Sequence, residues 1–80
     1  MKNVYYIHRD VIGQNADGLY ARFIRREYLR IADNGRYSWV ADPWDATGLT
    51  QCQCCNIMAN LTRYLRPNYR YDFVARTEED

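Results

Sequence analysis

Apolar and polar residues alternate near both ends of the chain, and this pattern predicts strands. The run Asn3 to His8 (NVYYIH) is rich in β-branched and aromatic residues and predicts a first strand. Near the other end, Asn68 to Arg76 (NYRYDFVAR) alternates aromatic or small residues with charged ones, which predicts the last strand. Between the first strand and the next, Arg9 to Gly18 carries Asp, Asn and Gly residues and predicts a long loop.

The middle of the chain is ambiguous until its turn residues are considered. The run Tyr20 to Ala32 (YARFIRREYLRIA) has residues that favour a helix, but Asp33-Asn34-Gly35 and a strand-like RYSWV follow it. Asn-Gly between two strand-like runs is the strongest short-range signal for a hairpin with a type I′ turn. We therefore predict a hairpin, with a β-bulge near Arg25 to Glu27, where strict alternation falters.

A helix is the clearest local element of the sequence. It follows a turn at Asp42-Pro43-Trp44-Asp45, in which Pro43 forces Asp42 out of the helical region. Thr50 followed by Gln53 forms a capping box, and Leu49 is placed to contact Cys54 as a hydrophobic staple. An apolar stripe at helical spacing then predicts a helix that Pro67 ends at Leu65 or Arg66; the stripe is Cys54, Ile57, Met58, Leu61 and Leu65.

Together these elements predict an α+β fold of order β-β-β-α-β. We expect a four-stranded antiparallel sheet packed on one face by a single helix, because one helix cannot cover both faces. The chain is short enough for one domain, which we place at residues 1–76, with a frayed acidic tail at 77–80. The uncovered face of the sheet is therefore the place to look for function.

Composition narrows the classes of function. Eleven basic residues against ten acidic ones argue against a polyanion mimic and against a protein that coats nucleic acid by charge alone. The chain has eight Tyr, and only Lys2 among its basic residues is not Arg; Tyr and Arg recur in binding hot spots. We expect a soluble, cytoplasmic protein, because there is no signal peptide, no membrane span and no even set of cysteines.

Chemistry-bearing clusters are sparse. Cys52 and Cys55 have the spacing of a zinc half-site, and His8 could be imagined as a further ligand. A structural zinc site needs a second pair of ligands, whereas Cys within a patterned helix behaves as a small buried hydrophobe. A Cys–His catalytic pair lacks an evident orienting residue. We therefore predict no metal, no cofactor and no enzymatic activity, with a Cys-dependent metal or redox domain as the third alternative.

The long second strand supplies the candidate binding residues. Without a bulge, one of its faces carries a ladder of Tyr and Arg, with neighbours roughly 7 Å apart. Such a ladder could bind a protein, stack unpaired bases with Arg on the phosphates, or simply be solvated. It could also be a homodimer interface, and no membrane partner is expected. The candidate binding residues are Tyr20, Arg22, Arg26, Tyr28 and Arg30.

In size and layout the whole chain resembles the very small orphan proteins encoded by phages and other mobile elements. The likeness lies in an early YYI strand, then FIRREYLR, a Trp strand (RYSWV), one helix, and a closing YDFV strand with an acidic end. Many proteins of that kind are host-takeover or anti-defence factors, including anti-CRISPR proteins, which cover a working surface of a host complex stoichiometrically. The resemblance implies a protein partner, such as a host nucleoprotein complex, and an inhibitory role.

Overall fold

The computed structural model describes residues 2–14, 21–63 and 68–78. In this part of the chain the sheet has four antiparallel strands in the order β3-β2-β1-β4, and one α-helix packs on it, which confirms the predicted α+β fold. The elements are β1 (Lys2–Gln14), β2 (Ala21–Ile31), β3 (Tyr37–Val40), a 3₁₀ helix (Pro43–Asp45), α1 (Gln51–Leu61) and β4 (Tyr69–Glu78).

Strand β1 is longer than the sequence predicted. The predicted loop from Arg9 is wrong up to Gln14, because Arg9, Asp10 and Val11 pair with β2 on one side and β4 on the other. Val11 and Ile12 are also buried, which gives this stretch a reason to stay extended despite its turn-forming neighbours. The rest of that predicted loop, residues 15–18, lies outside the described residues.

The predicted bulge exists, and it lies one residue before the stretch Arg25 to Glu27. Val11 pairs with Arg25 and Ile12 pairs with Phe23, so Ile24 is the extra residue of β2. Gly13 makes room for it: a Cβ there would lie 2.8 Å from the Cδ1 of Ile24. Because a one-residue slip inverts which face a side chain points to, the bulge divides β2 into two segments of opposite phase.

The turn between β2 and β3 is a hairpin turn of a different type from the one predicted. Gly35 has φ of 83°, and no non-glycine residue of the described chain has positive φ, which excludes type I′. The Gly35 N–H donates to the carbonyl of Ala32 at 2.8 Å, and the Ala32 N–H donates to the carbonyl of Arg36 at 2.9 Å. These bonds define a three-residue loop closed by a glycine bulge. The Asn34 side chain stabilises the loop by accepting a hydrogen bond from the Arg36 N–H at 3.0 Å.

The segment after the 3₁₀ helix enters the space between β1 and β2, whose pairing stops at His8 and Tyr28. Tyr5 and Leu49 exchange two backbone hydrogen bonds of 2.9 Å, and the Thr47 N–H donates to the Leu29 carbonyl at 3.0 Å. Gly48 permits this close approach, because a Cβ there would lie 2.6 Å from a methyl carbon of Val4. This segment thus carries the chain across the end of the sheet and into α1.

Helix α1 begins as predicted and ends earlier. The capping box is complete: the Gln53 N–H donates to Thr50 Oγ1 at 3.2 Å, and the Thr50 N–H donates to Gln53 Oε1 at 2.9 Å. The helix ends at Leu61, before the predicted Leu65 or Arg66, and the Thr62 hydroxyl donates back to the Met58 carbonyl at 2.7 Å. Residues 64–67 lie outside the described chain, so the predicted role of Pro67 stays a prediction.

The core lies between α1 and one face of the sheet. Its buried members come from four different elements or segments: Ile7, Leu29, Leu49 and Cys54. The rest of the predicted helical stripe that is described packs against them, as do aromatic residues of the strands; these are Ile57, Met58, Leu61, Tyr5, Trp39 and Phe73. The predicted staple is consistent with this cluster, since it contains both Leu49 and Cys54.

Strand β4 continues into the stretch that was predicted to be a frayed tail. Strand β4 runs to Glu78, so Thr77 and Glu78 belong to the sheet and the predicted boundary after residue 76 is wrong. Their side chains explain this, because Glu78 accepts hydrogen bonds from Tyr6 and Arg76, and Thr77 donates one to Asn3. Among the described residues, no helix is both long enough and apolar enough to cross a membrane.

Candidate binding face

The side of the sheet opposite α1 carries a connected set of polar and aromatic side chains, which we term the open face. Strand alternation places every second residue of each strand on it, starting from Tyr6 of β1, because Ile7 points into the core. One residue of the 3₁₀ helix reaches over to the same side. The residues of the open face used below are Tyr6, His8, Asp10, Arg26, Tyr28, Arg30, Asp72, Val74, Arg76 and Trp44.

The predicted Tyr/Arg ladder is only partly assembled. Arg26 lies opposite Asp10 and Tyr28 opposite His8, while Arg30 pairs with β3, so these three share the open face. Arg22 lies opposite Gly13, beyond the bulge at Ile24, and the register shift turns it to the side of α1. The prediction that Arg22 shares a face with Arg26 is therefore wrong. Tyr20 lies outside the described residues.

Arg26 is held by a two-pronged ion pair. Its Nε donates to Asp10 Oδ1 at 2.7 Å and its Nη2 donates to Asp10 Oδ2 at 3.1 Å. These hydrogen bonds lower the pKa of Asp10, against a smaller opposing effect of burial, so that the carboxylate stays charged. A bidentate pair of this kind fixes the plane of the guanidinium and makes Arg26 a rigid feature of the open face.

His8 lies behind this ion pair and is buried although it belongs to the open face. The sequence placed it at the end of a strand, but the extension of β1 puts it in the middle. The His8 side chain is 5% exposed, and its Nδ1 has no hydrogen-bond partner among the described residues; Asp10 Oδ1 is 3.7 Å away. Burial, followed by the positive charge of Arg26, lowers the pKa of His8, so the ring is neutral at neutral pH. The edge of the ring faces Tyr28 at 6.1 Å between centroids.

A second cluster lies at the other end of the open face. The guanidinium carbon of Arg76 is 4.7 Å from the centroid of the Tyr6 ring and 4.4 Å from that of the Trp44 ring. Arg76 thus contacts a buried and an exposed aromatic ring, since Tyr6 is 8% exposed and Trp44 is 76% exposed. We term these three residues the Trp44 stack. It places a large indole in solvent with its orientation fixed from below.

Hydrogen bonds hold the base of the Trp44 stack. The Tyr6 hydroxyl donates to Glu78 Oε1 at 2.6 Å, and Arg76 Nη2 donates to the same oxygen at 2.9 Å and to the Tyr6 oxygen at 2.8 Å. The hydrogen bond from Tyr6, followed by that from Arg76, lowers the pKa of Glu78. Burial, followed by the bond to Glu78, raises the pKa of Tyr6, which therefore keeps its proton and donates it.

The Trp44 stack was missed at the level of sequence because its members are far apart along the chain. Trp44 appeared only as a turn residue beside Pro43, and that part of the prediction is confirmed. Asp42 is extended and accepts the Trp44 N–H at 2.9 Å. The available signal was the indole itself, since a large aromatic residue between two acidic turn residues has no core position to fill.

The cysteines do not assemble a metal site within the described chain. Cys54 is buried in the core, which raises the pKa of its thiol, whereas Cys52 and Cys55 are exposed on α1. The sheet separates them from His8, which lies on the open face. No group of three or more His, Cys, Asp or Glu residues in the described ranges could hold a metal ion.

Comparison with known proteins gave no relative to which the open face could be matched. A scan against protein-family models, a search of curated proteins and a search of solved structures found no match.

Proposed function

We propose that the chain is a non-enzymatic protein-binding module that contacts its partner through the open face. The observation that carries this proposal is the Trp44 stack, in which an indole that is 76% exposed rests on the guanidinium of Arg76. Trp, Arg and Tyr are the residue types that dominate binding hot spots, because each combines a large contact area with a directional polar group.

Rigidity of the open face supports the same proposal. Arg26 is fixed by two hydrogen bonds to Asp10, and Arg76 by bonds to Tyr6 and Glu78. A side chain that is already ordered loses less conformational entropy when a partner binds, which favours affinity. The two clusters lie on the same side of one sheet, so a single partner surface can contact both.

The ion pairs favour a protein over nucleic acid as the partner. Arg26 and Arg76 each already donate to a carboxylate of the same face, so a phosphate group would have to displace Asp10 or Glu78. A protein partner can instead contact the aromatic rings and the outer edges of these ion pairs without breaking them. The nucleic-acid alternative requires binding that weakens steeply with salt, because it depends on the release of counterions.

An inhibitory role follows from the resemblance to small proteins of mobile elements. A module of this size that covers a working surface of a host defence complex would inhibit it stoichiometrically. Such an inhibitor needs a rigid contact face and does not need a pocket. The fixed side chains of Arg26 and Arg76 on the open face fit this need. We include that role in the proposal.

Charge reversal at Arg30 tests the proposal. Arg30 lies on the open face and is exposed, and it has no ion pair among the described residues. Arg30→Glu should therefore reverse a surface charge without removing an internal contact. We expect tagged wild-type protein to capture a protein partner from nuclease-treated bacterial lysate, and Arg30→Glu to capture at least tenfold less.

Arg22→Glu is the matched control, since it makes the same charge change on the other side of β2. It should capture the partner as the wild type does. Equal capture by the wild type and Arg30→Glu would contradict the proposal. Capture that vanishes with nuclease or falls by orders of magnitude from about 50 to 200 mM salt would point to nucleic acid.

A further inference from the structure

Strand β4 forms one edge of the sheet and has no strand on its outer side within the described chain. It extends from Tyr69 to Glu78 without a proline. The side chain of Val74, which lies on the open face, is 43% exposed. A long edge strand of this kind presents a row of free N–H and C=O groups that can pair with another strand.

Backbone hydrogen bonds show which residues of β4 direct their N–H and C=O groups away from β1. The Ile12 N–H donates to the carbonyl of Asn68 at 2.8 Å, so the even positions of β4 direct their backbone groups towards β1. On the other side of β1, Tyr5 exchanges its bonds with Leu49, as this alternation requires. The odd positions of β4 therefore direct their N–H and C=O groups to the open edge; they are Tyr69, Tyr71, Phe73, Ala75 and Thr77.

We propose that a second copy of this chain pairs with the outer edge of β4, antiparallel and with the two-fold axis at Val74. Phe73 and Ala75 of one copy then exchange hydrogen bonds with Ala75 and Phe73 of the other, using the backbone groups that point outwards. The two Val74 side chains face each other across the axis and become covered. Two sheets of this kind combine into one continuous sheet.

Charge complementarity selects this register. With Val74 opposite its own copy, Asp72 faces Arg76 and Arg70 faces Glu78, and symmetry repeats both pairs. All four side chains lie at even positions of β4, on the same face of the sheet, so the opposite charges are direct neighbours. Opposite charges on directly facing strand residues stabilise the pairing, and like charges destabilise it.

The neighbouring registers place like charges opposite each other. Moving the two-fold axis by one residue along β4 shifts the register by two residues. Only shifts of two residues keep the outward backbone groups of the two copies opposite each other. A two-fold axis at Phe73 would bring Arg70 opposite Arg76, and an axis at Ala75 would bring Asp72 opposite Glu78. The sequence of β4 therefore favours one antiparallel self-pairing over both of its neighbours.

One of the outward N–H groups of β4 already donates to a side chain of its own chain, and the dimer would break that hydrogen bond. Asp72 Oδ1 accepts the N–H of Phe73 at 2.8 Å, and this is one of the outward donors. In the dimer Asp72 turns to Arg76 of the other copy, and the Phe73 N–H becomes free to donate to Ala75. The dimer does not rest on the partner proposed for the open face, although it uses Arg76, which also holds the Trp44 stack.

A pair of complementary variants tests the dimer. We expect the wild type to show a concentration-dependent dimer in sedimentation equilibrium at low salt. Asp72→Arg and Arg76→Asp should each stay monomeric, since each places like charges opposite one another twice. Mixed in equal amounts they should form a heterodimer, because every facing pair is then again opposite in charge. A wild type that stays monomeric at all concentrations, or a mixture no more associated than its components, would overturn the proposal.

A cysteine at the two-fold axis tests the register directly. In a background with Cys52→Ser and Cys55→Ser, Val74→Cys should form a disulfide-linked dimer under mild oxidation, because facing residues that share no backbone bonds have Cα atoms only about 4.5 Å apart. Asp72→Cys is the control, since its two copies would lie roughly 13 Å apart along the strands. Equal cross-linking of both variants would overturn the register, and circular dichroism checks that each variant is folded.

Discussion

Two arginines, one on each face of the sheet, share the same chemistry and differ in what surrounds them. Arg9 lies on the side of α1, with its guanidinium carbon 4.3 Å from the Trp39 ring and 4.5 Å from the Tyr69 ring, and it donates to Glu27 at 2.8 Å. Arg76 lies on the open face between a Trp and a Tyr as well, and its carboxylate partner is Glu78.

Exposure separates the two sites. The side chains of Arg9 and Glu27 are 19% and 16% exposed, whereas those of Arg76 and Glu78 are 36% and 35% exposed. Trp39 packs against the core, but Trp44 has most of its indole in solvent. The same set of residue types therefore extends the core on one face of the sheet and forms a solvent-exposed cluster on the other.

The largest effect that separates the two sites should be on stability. Arg9→Met removes two cation–π contacts, and among the described residues it leaves the exposed Arg25 as the one remaining partner of the mostly buried Glu27 carboxylate. We expect a loss of about 2–3 kcal/mol in the free energy of unfolding, measured by chemical denaturation. Arg76→Met is the matched change and should cost clearly less. Equal losses at the two sites would contradict the distinction.

The pKa values of the two glutamates should respond differently to the same substitutions. Burial raises the pKa of Glu27, but hydrogen bonds and charges from Arg9 and Arg25 more than offset it, and the net pKa is lowered. In Arg9→Met we therefore expect the pKa of Glu27 to rise. In Arg76→Met the pKa of Glu78 should stay below its ordinary value, because Tyr6 still donates to it. NMR titration of the glutamate carboxyl carbons measures both, and a larger rise at Glu78 would refute this account.

The pH dependence of stability tests whether His8 is shielded from water, although it lies on the open face. Its folded pKa is lowered, so between that value and the ordinary pKa of 6.5 the unfolded chain binds more protons than the folded one. Stability should therefore fall as the pH drops below about 6.5, by at most about 1.4 kcal/mol per pH unit, and stop falling below the folded pKa. Asp10 and Glu27, whose pKa values are also lowered, act only at lower pH.

Urea denaturation at several pH values between about 5 and 7.5 measures this dependence. His8→Gln, which cannot be protonated in this range, should show a flat profile over the part of the range above the carboxylate pKa values. A wild type whose stability does not change with pH between 7.5 and 5.5 would show that the ring is accessible to protons and water in the folded state.

The smallest effect on stability is expected at Trp44. Its indole is 76% exposed, so Trp44→Ala should change the free energy of unfolding by less than about 1 kcal/mol. Denaturation of the variant beside the wild type measures the difference. A substantially larger loss would mean that Trp44 contributes to packing, as Trp39 does on the other face.

Local signals in the sequence predicted the elements that depend on local contacts. The capping box at Thr50 and the apolar stripe from Cys54 to Leu61 specify α1 through residues one or two turns apart. The four-stranded sheet with one uncovered face followed from the number and order of the elements.

The structural features that the sequence did not predict depend on contacts between residues that are far apart along the chain. The bulge at Ile24 depends on the space that Gly13 leaves on the paired strand, and it moved Arg22 away from Arg26. Strand β1 continues through two turn-forming residues because both are paired: Asp10 with β2 and β4, and Gly13 with β2. The Trp44 stack joins β1, the 3₁₀ helix and β4, so no spacing along the chain could reveal it.

The most direct test of the central claim compares two exposed aromatic residues on different faces. Trp44 belongs to the open face, whereas Tyr37 is 43% exposed on β3 beside Ile31, which packs against the core. Tagged Trp44→Ala and Tyr37→Ala, both checked for folding, would be compared with the wild type for partner captured from nuclease-treated lysate. The account predicts that Trp44→Ala loses about tenfold or more of the captured protein and Tyr37→Ala loses little. Undiminished capture by Trp44→Ala would contradict it.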